Sequence, residues 1–376
     1  MRSEQVSMNL KPFQAIFPEL SFITSPDHFF SSVREQYNEY KESGFFNKTA
    51  SEGMYIYQIQ TNGKSYMGLV TCIDINDYRN GKIKRHENTL AAKEQQQMHL
   101  MLKREAQVKP VLLTYKKVEK IDKILNQVVQ SQRPFQQIHF EQSNQNHVFW
   151  KIMDGKTIQK LQKIFAEQVD CTYIADGHHR TSTTAIMDER MTNKKGAKSY
   201  DQLLCALFPT TELEILDFNR VIEVVGDFSA ALFVARLSQL FDIQVLEEAR
   251  KPIKKHEMTL FLDKNWFSLT WRKEVLKRYK KDKVILDATL LNEKILKGIL
   301  GIEDVKTDSR VKYVEGPKGI DGIINATRKS DHRMAFVLYP VDMNDFIAIA
   351  DAGKTLPPKS TWFEPRIKNG LMVKEF

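Results

Sequence analysis

The chain has 376 residues, of which 42% are hydrophobic and 27% are charged. These proportions are typical of a globular protein and exclude a disordered, collagen-like or coiled-coil chain. Lys and Arg outnumber Asp and Glu by 56 to 47, and the resulting net charge of +9 favours a basic solvated surface over a nucleic-acid-binding one.

The cysteines and the N-terminus indicate the compartment. Cys72, Cys171 and Cys205 form no CxxC pair, which argues against a disulfide framework and a zinc knuckle. Residues 1–10 lack the apolar core of a signal peptide, and no run approaches the roughly 18 apolar residues of a transmembrane helix. We therefore expect a cytoplasmic protein with no membrane partner.

The first half of the chain alternates predicted strands and helices. Residues 54–60 and 65–75 are rich in β-forming side chains and flank an Asn62-Gly63 pair, so they predict a β-hairpin. Residues 131–146 are rich in Gln and Asn and show no core period. Further strands are predicted at 111–115, 147–153, 171–175 and 202–208. Helices are predicted at 90–107, 116–130, 157–168 and 179–191.

The second half continues the same mixture. Helices are predicted at 228–241, 290–300 and 341–350. Strands are predicted at 259–262, 266–271, 284–286 and 334–339, the first two as a hairpin. The pattern predicts a mixed fold of the α+β class, and the length predicts about two domains.

The sharpest local pattern is the segment 173–182, with the sequence YIADGHHRTS. An apolar strand leads into Asp176-Gly177 and a helix start, where backbone N–H groups favour anions and Arg180 adds a two-pronged donor. The pattern predicts a phosphate cradle, although an ordinary Asp-Gly turn before a capped helix explains it equally well. Adjacent histidines do not face one site on a helix, so we predict no metal site.

A carboxylate beside a histidine occurs in the segment 85–89, with the sequence RHENT. Glu87 could serve there as a general base or as a Mg²⁺ ligand. On local sequence alone, an acidic residue favoured by the dipole of the following helix is the stronger interpretation.

A third pattern lies near the C-terminus, in the segment 357–365 with the sequence PPKSTWFEP. Its lysine and two hydroxyl residues suit a phosphate, but the GxxxxGK context of a P-loop is missing. A rigid proline-rich loop that packs Trp362 and Phe363 on the core accounts for the same residues.

Together these motifs resemble the Domain of Unknown Function 1015 family, which is mostly bacterial and archaeal and whose members are mostly uncharacterised. The matching segments are Lys11-Pro12-Phe13, 85–90, 173–180, Asn219-Arg220, Leu300-Gly301-Ile302 and 357–365. The DGHHR motif is also similar to that of the ParB and sulfiredoxin superfamily. This resemblance implies a ParB/sulfiredoxin-like mixed α/β domain at 1–205, with the HE motif (residues 86–87) and the DGHHR motif (residues 176–180), and a second α/β region at 206–376.

Free serine kinases of that superfamily carry a DGHHR-type motif and transfer a nucleotide phosphate to the serine hydroxyl. The resemblance therefore implies a phosphotransferase that acts on a small hydroxyl compound, such as free serine, with ATP or ADP and Mg²⁺ as cofactors. The implied catalytic residues are Glu87, His178 and His179. The residues implied to hold the nucleotide are Asp176, Gly177, Arg180, Thr181, Lys359, Ser360 and Thr361.

The chain departs from the family pattern near its start. Phe17-Pro18 stands where many members have Arg-Pro, which removes a possible phosphate or acid ligand. Two alternatives fit the same resemblance. One is a nucleotide-gated nucleic-acid-binding protein of ParB type, less favoured because no helix-turn-helix is evident. The other is a nucleotide-binding module without catalysis. The sequence indicates no oligomeric state.

Overall fold

The computed structural model describes residues 8–191, 199–224, 226, 228–330 and 332–376. It shows a mixed α/β protein, as expected, that divides into two compact units. The first comprises Met1–Glu214 and Pro365–Phe376, and the second comprises Ile215–Glu364. Among the helices of the described residues, none combines the length and the apolar character needed to cross a membrane.

The first unit is built on one large sheet with helices packed against it. Its strands are β1 (Leu10–Lys11), β2 (Ile16–Pro18), β3 (Phe46–Lys48), β4 (Met54–Thr61), β5 (Lys64–Asp74), β6 (Ile83–Lys84), β7 (Ala106–Gln107), β8 (Val111–Tyr115), β9 (Gln136–Phe140), β10 (Gln145–Ile152), β11 (Thr172–Asp176) and β12 (Gln202–Pro209). Its helices are α1 (Pro26–Glu42), α2 (Asn76–Arg79), α3 (Ala91–Arg104), α4 (Glu119–Ser131), α5 (Gly155–Gln168) and α6 (His178–Met191). A short C-terminal strand, Lys374–Glu375, pairs with β7.

The large sheet has the strand order β6-β11-β8-β12-β5-β4-β10-β9, and β1 pairs with β5 outside this path. The sheet is mixed, because β6 and β11 run parallel, as do β8 and β12. The predicted hairpin is confirmed as β4 and β5, with Thr61 opposite Lys64. The φ angles of Asn62 and Gly63 are 49° and 73°, and a two-residue turn matching the strand twist requires such positive values.

The helices of the first unit bury different kinds of surface. α5 buries Ile158, Leu161 and Phe165 in the core of the sheet, as the predicted apolar face requires. α6 instead buries mostly polar side chains: His178, Thr181, Ser182, Thr183, Thr184 and Asp188. Buried polar groups are costly unless they are hydrogen-bonded, so α6 is the helix whose partners need explanation.

Two predictions for the first unit are wrong in detail. The helix predicted at 90–107 ends at Arg104, because Glu105 adopts a left-handed conformation with φ of 53° and the chain then enters β7. The Gln- and Asn-rich segment contains β9, in which Gln136, Ile138 and Phe140 are buried and the residues between them are exposed. Its period of two was present, but the polar side chains obscured it.

The second unit contains a separate antiparallel sheet with the strand order β15-β17-β16-β19-β14-β18. Its strands are β13 (Glu214–Leu216), β14 (Phe218–Glu223), β15 (Phe241–Leu246), β16 (Glu257–Leu262), β17 (Asn265–Trp271), β18 (Val311–Glu315), β19 (Arg333–Leu338) and β20 (Trp362–Glu364). Its helices are α7 (Ala230–Leu237), α8 (Lys273–Lys277), α9 (Asp287–Leu290), α10 (Gly319–Thr327) and α11 (Met343–Asp351), and a π-helical segment, Leu291–Lys297, follows α9.

Both faces of the second sheet are buried. Along β19, Met334 and Phe336 belong to one apolar cluster, and Ala335 and Val337 belong to another. This arrangement explains why β19 appears in the sequence as a continuous apolar run.

Three predictions for the second unit can be compared directly. The hairpin at 259–262 and 266–271 is confirmed as β16 and β17. The helix predicted at 228–241 is only α7, because the chain from Phe241 pairs with β17 as an edge strand. The strand predicted at 284–286 is wrong: this short apolar run is irregular and leads directly into α9.

Candidate functional site

The DGHHR motif forms a tight turn between β11 and α6. Asp176 ends the strand, Gly177 makes the turn and the helix begins at His178. Gly177 has a φ of 114°, a conformation that favours glycine. A Cβ atom at this position would lie 2.9 Å from a terminal guanidinium nitrogen of Arg180, so glycine also leaves room for that side chain to fold back over the turn.

Three cations surround the Asp176 carboxylate. Arg180 donates to its Oδ2 at 2.9 Å, Lys109 lies 3.3 Å from the same oxygen, and Arg366 lies 3.4 Å from Oδ1. Burial alone would raise the pKa of Asp176, but these charges hold it well below its usual range. Burial lowers the pKa of Lys109 to about 8, although the negative charge of Asp176 shifts it in the opposite direction. One carboxylate neutralises only part of this charge, so the cluster keeps a positive excess.

The segment 85–89, with the sequence RHENT, lies against the start of α6. The backbone N–H of His86 donates to His178 Nε2 at 3.4 Å, and that of Leu90 donates to His179 Nε2 at 3.2 Å. Glu87 lies between these two contacts. Its Oε2 atom is 3.9 Å from His178 Nδ1, and half of the Glu87 side chain is exposed. The structure therefore brings the HE and DGHHR motifs together, although 87 residues separate Asn88 from Asp176.

Both histidines of the DGHHR motif are held in the neutral form. Burial lowers the pKa of His178 to about 4, with Asp176 opposing the shift. Burial also lowers the pKa of His179, and the neighbouring charge of Lys93 acts in the same direction. At neutral pH each ring therefore has one donor and one acceptor nitrogen.

A cavity of about 390 Å³ opens in front of this cluster, within the first unit. Its charged lining residues are Arg34, Lys93, Arg104, Lys109, Arg180, Glu87 and Asp176. Cations outnumber carboxylates, and a small-molecule cavity of this size with a positive lining suits a ligand that carries several negative charges.

Arg104 is one of the cations that line this cavity. It is almost completely buried, and it donates to the carbonyl oxygens of Leu100 and Arg34 at 2.9 and 3.0 Å. Among the described residues it forms no ion pair with a carboxylate. Burial lowers the pKa of Arg104 to about 10, so the group still carries its charge at neutral pH.

The site offers two kinds of metal ligand. His86, Glu87 and His178 present ligand atoms that all lie within 4.8 Å of one another. The imidazole nitrogens suit zinc and similar metals better than Mg²⁺, which prefers oxygen ligands. For Mg²⁺, Glu87 would be the carboxylate ligand, whereas Asp176 is engaged by its three cations. One carboxylate together with phosphate oxygens is a usual donor set for Mg²⁺ that arrives with a nucleotide.

The predicted site residues fall into three groups. Those that line the cavity together are Glu87, Asp176, Gly177, His178, His179 and Arg180. Thr181 is fully buried and donates its hydroxyl to the carbonyl oxygen of Gly177 at 3.1 Å, so this hydroxyl is used inside the helix. The remaining predicted residues, Lys359, Ser360 and Thr361, belong to the second unit.

The proline-rich segment has its own local structure in the second unit. Lys359 has a positive φ of 55°, and its ammonium lies 5.2 Å from the centre of the Phe218 ring. Ser360 is buried and donates to the carbonyl oxygen of Pro357 at 2.8 Å, and Arg220 donates to that of Pro358 at 3.4 Å. These contacts order the segment, and its assignment to phosphate binding stays a prediction.

Sequence reasoning missed most of the cations of the cavity. They come from α1, α3 and the segment before β8, and are Arg34, Lys93, Arg104 and Lys109. A further cation that was missed, Arg366 of the C-terminal segment, contacts Asp176. Lys109 stands directly before Pro110 and a buried strand. This position could have indicated that its side chain is fixed at the end of the strand. The other four look like ordinary surface residues in the sequence.

Comparison with solved structures finds several similar chains at low sequence identity. A free serine kinase in complex with AMP is 12% identical, with 78% of this chain and 86% of that chain covered and a TM-score of 0.38. SbnI with a C-terminal truncation, from Staphylococcus aureus, is 12% identical, with coverages of 81% and 87% and a TM-score of 0.42. A conserved hypothetical protein from Pyrococcus furiosus is 13% identical, with coverages of 81% and 95% and a TM-score of 0.38.

A search of curated proteins finds no match. The family model described as protein of unknown function (DUF1015) matches residues 12–292, which is most of the 376-residue chain. The chain therefore belongs to the DUF1015 family.

Proposed function

We propose that the first unit is a nucleotide-dependent phosphotransferase that acts on a small hydroxyl compound. One observation supports this most: a positively lined cavity at the start of α6 that also contains the half-exposed carboxylate of Glu87. Phosphoryl transfer depends on positioning and electrostatic stabilisation. A site that binds a polyanion and a carboxylate that acts as a general base supply these two requirements.

The nucleotide phosphates would lie at the start of α6. Backbone N–H groups of the first helical turn face an anion favourably, and the helix dipole adds to this attraction. Arg180 and Lys109 line the same cavity, and the surplus charge around Asp176 is available to a phosphate. Mg²⁺ bound to the phosphates would neutralise charge that develops during transfer.

Glu87 would act as the base. The acceptor hydroxyl gives its proton to the Glu87 carboxylate while its oxygen forms a bond to the terminal phosphorus of the nucleotide. The bond from that phosphorus to the bridging oxygen breaks, so ATP leaves as ADP, or ADP leaves as AMP. Glu87 is exposed enough to meet a substrate and close enough to His178 to be oriented.

The acceptor is a small hydroxyl compound, and free serine is the first to test because of the DGHHR resemblance. The experiment measures release of ADP or AMP from ATP or ADP with Mg²⁺ across a panel of hydroxyl acceptors. Acceptor-dependent release supports the proposal. Nucleotide binding without release for any acceptor would overturn it and leave a binding module without catalysis.

A matched pair of variants on α6 tests the location of the phosphates. Arg180→Gln should weaken nucleotide binding about ten- to hundredfold, the usual value of a hydrogen bond to a charged group. Arg190→Gln changes an exposed arginine in the last turn of the same helix and should leave binding unchanged. Calorimetric titration measures both, and equal affinities for the two variants would contradict the proposed phosphate position.

A further inference from the structure

We propose that His178 and His179 are positioning residues that clamp the loop carrying Glu87, by accepting backbone hydrogen bonds from that loop. The effect of this clamp on catalysis rests on the proposed function, but the existence of the clamp does not. The loop 85–90 is neither helix nor strand, and Glu87 lies between its two contacts with α6. These contacts are the N–H groups of His86 and Leu90, which donate to Nε2 of His178 and His179.

These two hydrogen bonds fix the proton positions on the rings. A neutral imidazole that accepts at Nε2 carries its proton on Nδ1. The proton of His178 is therefore on Nδ1, which lies 3.9 Å from Glu87 Oε2. The N–H group at this position favours the ionised form of the Glu87 carboxylate. Protonation of Nε2 would turn an acceptor into a donor that faces another donor, and the clamp would open.

The side chains of α6 extend the clamp beyond the loop. Ser182 donates its hydroxyl to Glu94 Oε1 at 2.5 Å, and Thr183 donates to the backbone oxygen of Glu94 at 3.3 Å. Glu94 lies in the first turn of α3, directly after the loop. Three of the polar residues that α6 buries, His178, Ser182 and Thr183, therefore hold the chain from residue 86 to residue 94, which explains part of the polar face that this helix buries.

Charged groups surround both rings. Asp176 and Glu87 favour protonation of His178, whereas Arg85, Arg180, the second histidine and burial oppose it. Around His179, Glu87 and Glu94 favour protonation, whereas Lys93 and burial oppose it. For both rings the balance keeps the neutral form, the only form that can accept these hydrogen bonds.

The same proton positions argue against a metal held by His86, Glu87 and His178. A metal on His178 Nδ1 would need the lone pair of that nitrogen, so the proton would move to Nε2, which faces the His86 N–H. The clamp and a metal at this position are therefore mutually exclusive, and one experiment distinguishes them.

The experiment compares leucine and glutamine at each histidine. His178→Leu and His179→Leu remove the acceptor, whereas His178→Gln and His179→Gln place an amide oxygen near the position of Nε2. Amide hydrogen exchange at His86 should be about five- to tenfold faster in His178→Leu, the usual value of one hydrogen bond, and nearly unchanged in His178→Gln. Exchange at Leu90 should respond in the same way to the His179 pair.

His139→Leu is the control, because His139 is exposed on β9 and bonds only to Asn146 among the described residues. It should change neither amide. Once an acceptor substrate is known, the two leucine variants should lower kcat about tenfold, with a nucleotide KM close to that of the wild type, and the glutamine variants should restore kcat.

Three results would overturn the clamp. One is unchanged exchange at His86 and Leu90 in both leucine variants. Another is equally fast exchange in the glutamine and leucine variants. The third is stoichiometric Zn²⁺ binding by the wild type that is lost in His178→Leu, because that result makes His178 a metal ligand. Since exchange is measured without turnover, an inactive protein with a responsive His86 amide would refute the phosphotransferase and not the clamp.

Discussion

Replacement of Gly177 by alanine tests whether the turn before α6 is shaped for its arginine. The φ of 114° strains any L side chain, at a cost of about 1–3 kcal/mol. The new Cβ would also meet three guanidinium atoms of Arg180 at 2.9–3.2 Å. Arg180 cannot move aside freely, because it bonds to Asp176 and to the carbonyl oxygens of Lys109 and Pro110.

We estimate the total loss in the free energy of unfolding from these two effects. Displacing Arg180 loses a hydrogen bond to a charged group, which contributes about 1.5–3 kcal/mol. Together with the strain, Gly177→Ala should lose about 2.5–6 kcal/mol. Thermal unfolding followed by circular dichroism should show a fall in Tm of roughly 5–24 °C for a unit of this size. Nucleotide affinity should fall as well.

Two other glycines separate strain from contact. Gly81 has a φ of 74° with no atom near its missing Cβ, so Gly81→Ala should lose only about 1 kcal/mol. Gly155 begins α5 with no positive φ and open space around it, so Gly155→Ala should be neutral or slightly stabilising. If Gly177→Ala melted at the same temperature as Gly81→Ala, the contact with Arg180 would have no role.

Three further predictions concern the cation cluster, the buried histidines and the α3–α6 contact. Lys109→Met removes a cation of the cavity and should weaken nucleotide binding about tenfold by calorimetry. Burial lowers the pKa of His147 to about 3 and that of His178 to about 4, whereas an unfolded chain takes up these protons near pH 6.5. The free energy of unfolding in urea should therefore fall as the pH falls from about 6.5 to 4, by about 2 kcal/mol per histidine at pH 5, and equal values at pH 7 and pH 5 would contradict this. Ser182→Ala removes one of the charge-assisted hydrogen bonds of Glu94 and should cost about 1–2 kcal/mol in thermal unfolding, whereas an unchanged Tm would show that this contact does not stabilise the fold.

The sequence predicted the elements that depend on local patterns. The hairpin of β4 and β5 follows from its turn pair, and the transition from β11 to α6 follows from an apolar strand ending at Asp-Gly. β9 was missed because glutamine and histidine occupy positions that usually distinguish core from surface. β15 was missed because an edge strand with one face exposed continues the apolar pattern of the preceding helix.

The candidate site was predictable only in part, and for a physical reason. The turn that we propose binds phosphate is local, so residues 176–180 could be identified directly. The positively charged lining of the cavity depends on which distant elements the fold brings together, and single residues such as Arg34 and Arg104 carry no local pattern. The roles of His178 and His179 as acceptors also depend on a loop about 90 residues earlier in the chain.

The most direct test of the account compares phosphoryl transfer by the wild type and by Glu87→Gln with ³¹P NMR. Glu167→Gln, on an exposed part of α5, is the matched control. A phosphomonoester product is expected with the wild type and with Glu167→Gln, and a rate at least about a hundredfold lower is expected with Glu87→Gln, whose nucleotide affinity remains. Transfer by Glu87→Gln at the wild-type rate would contradict the account.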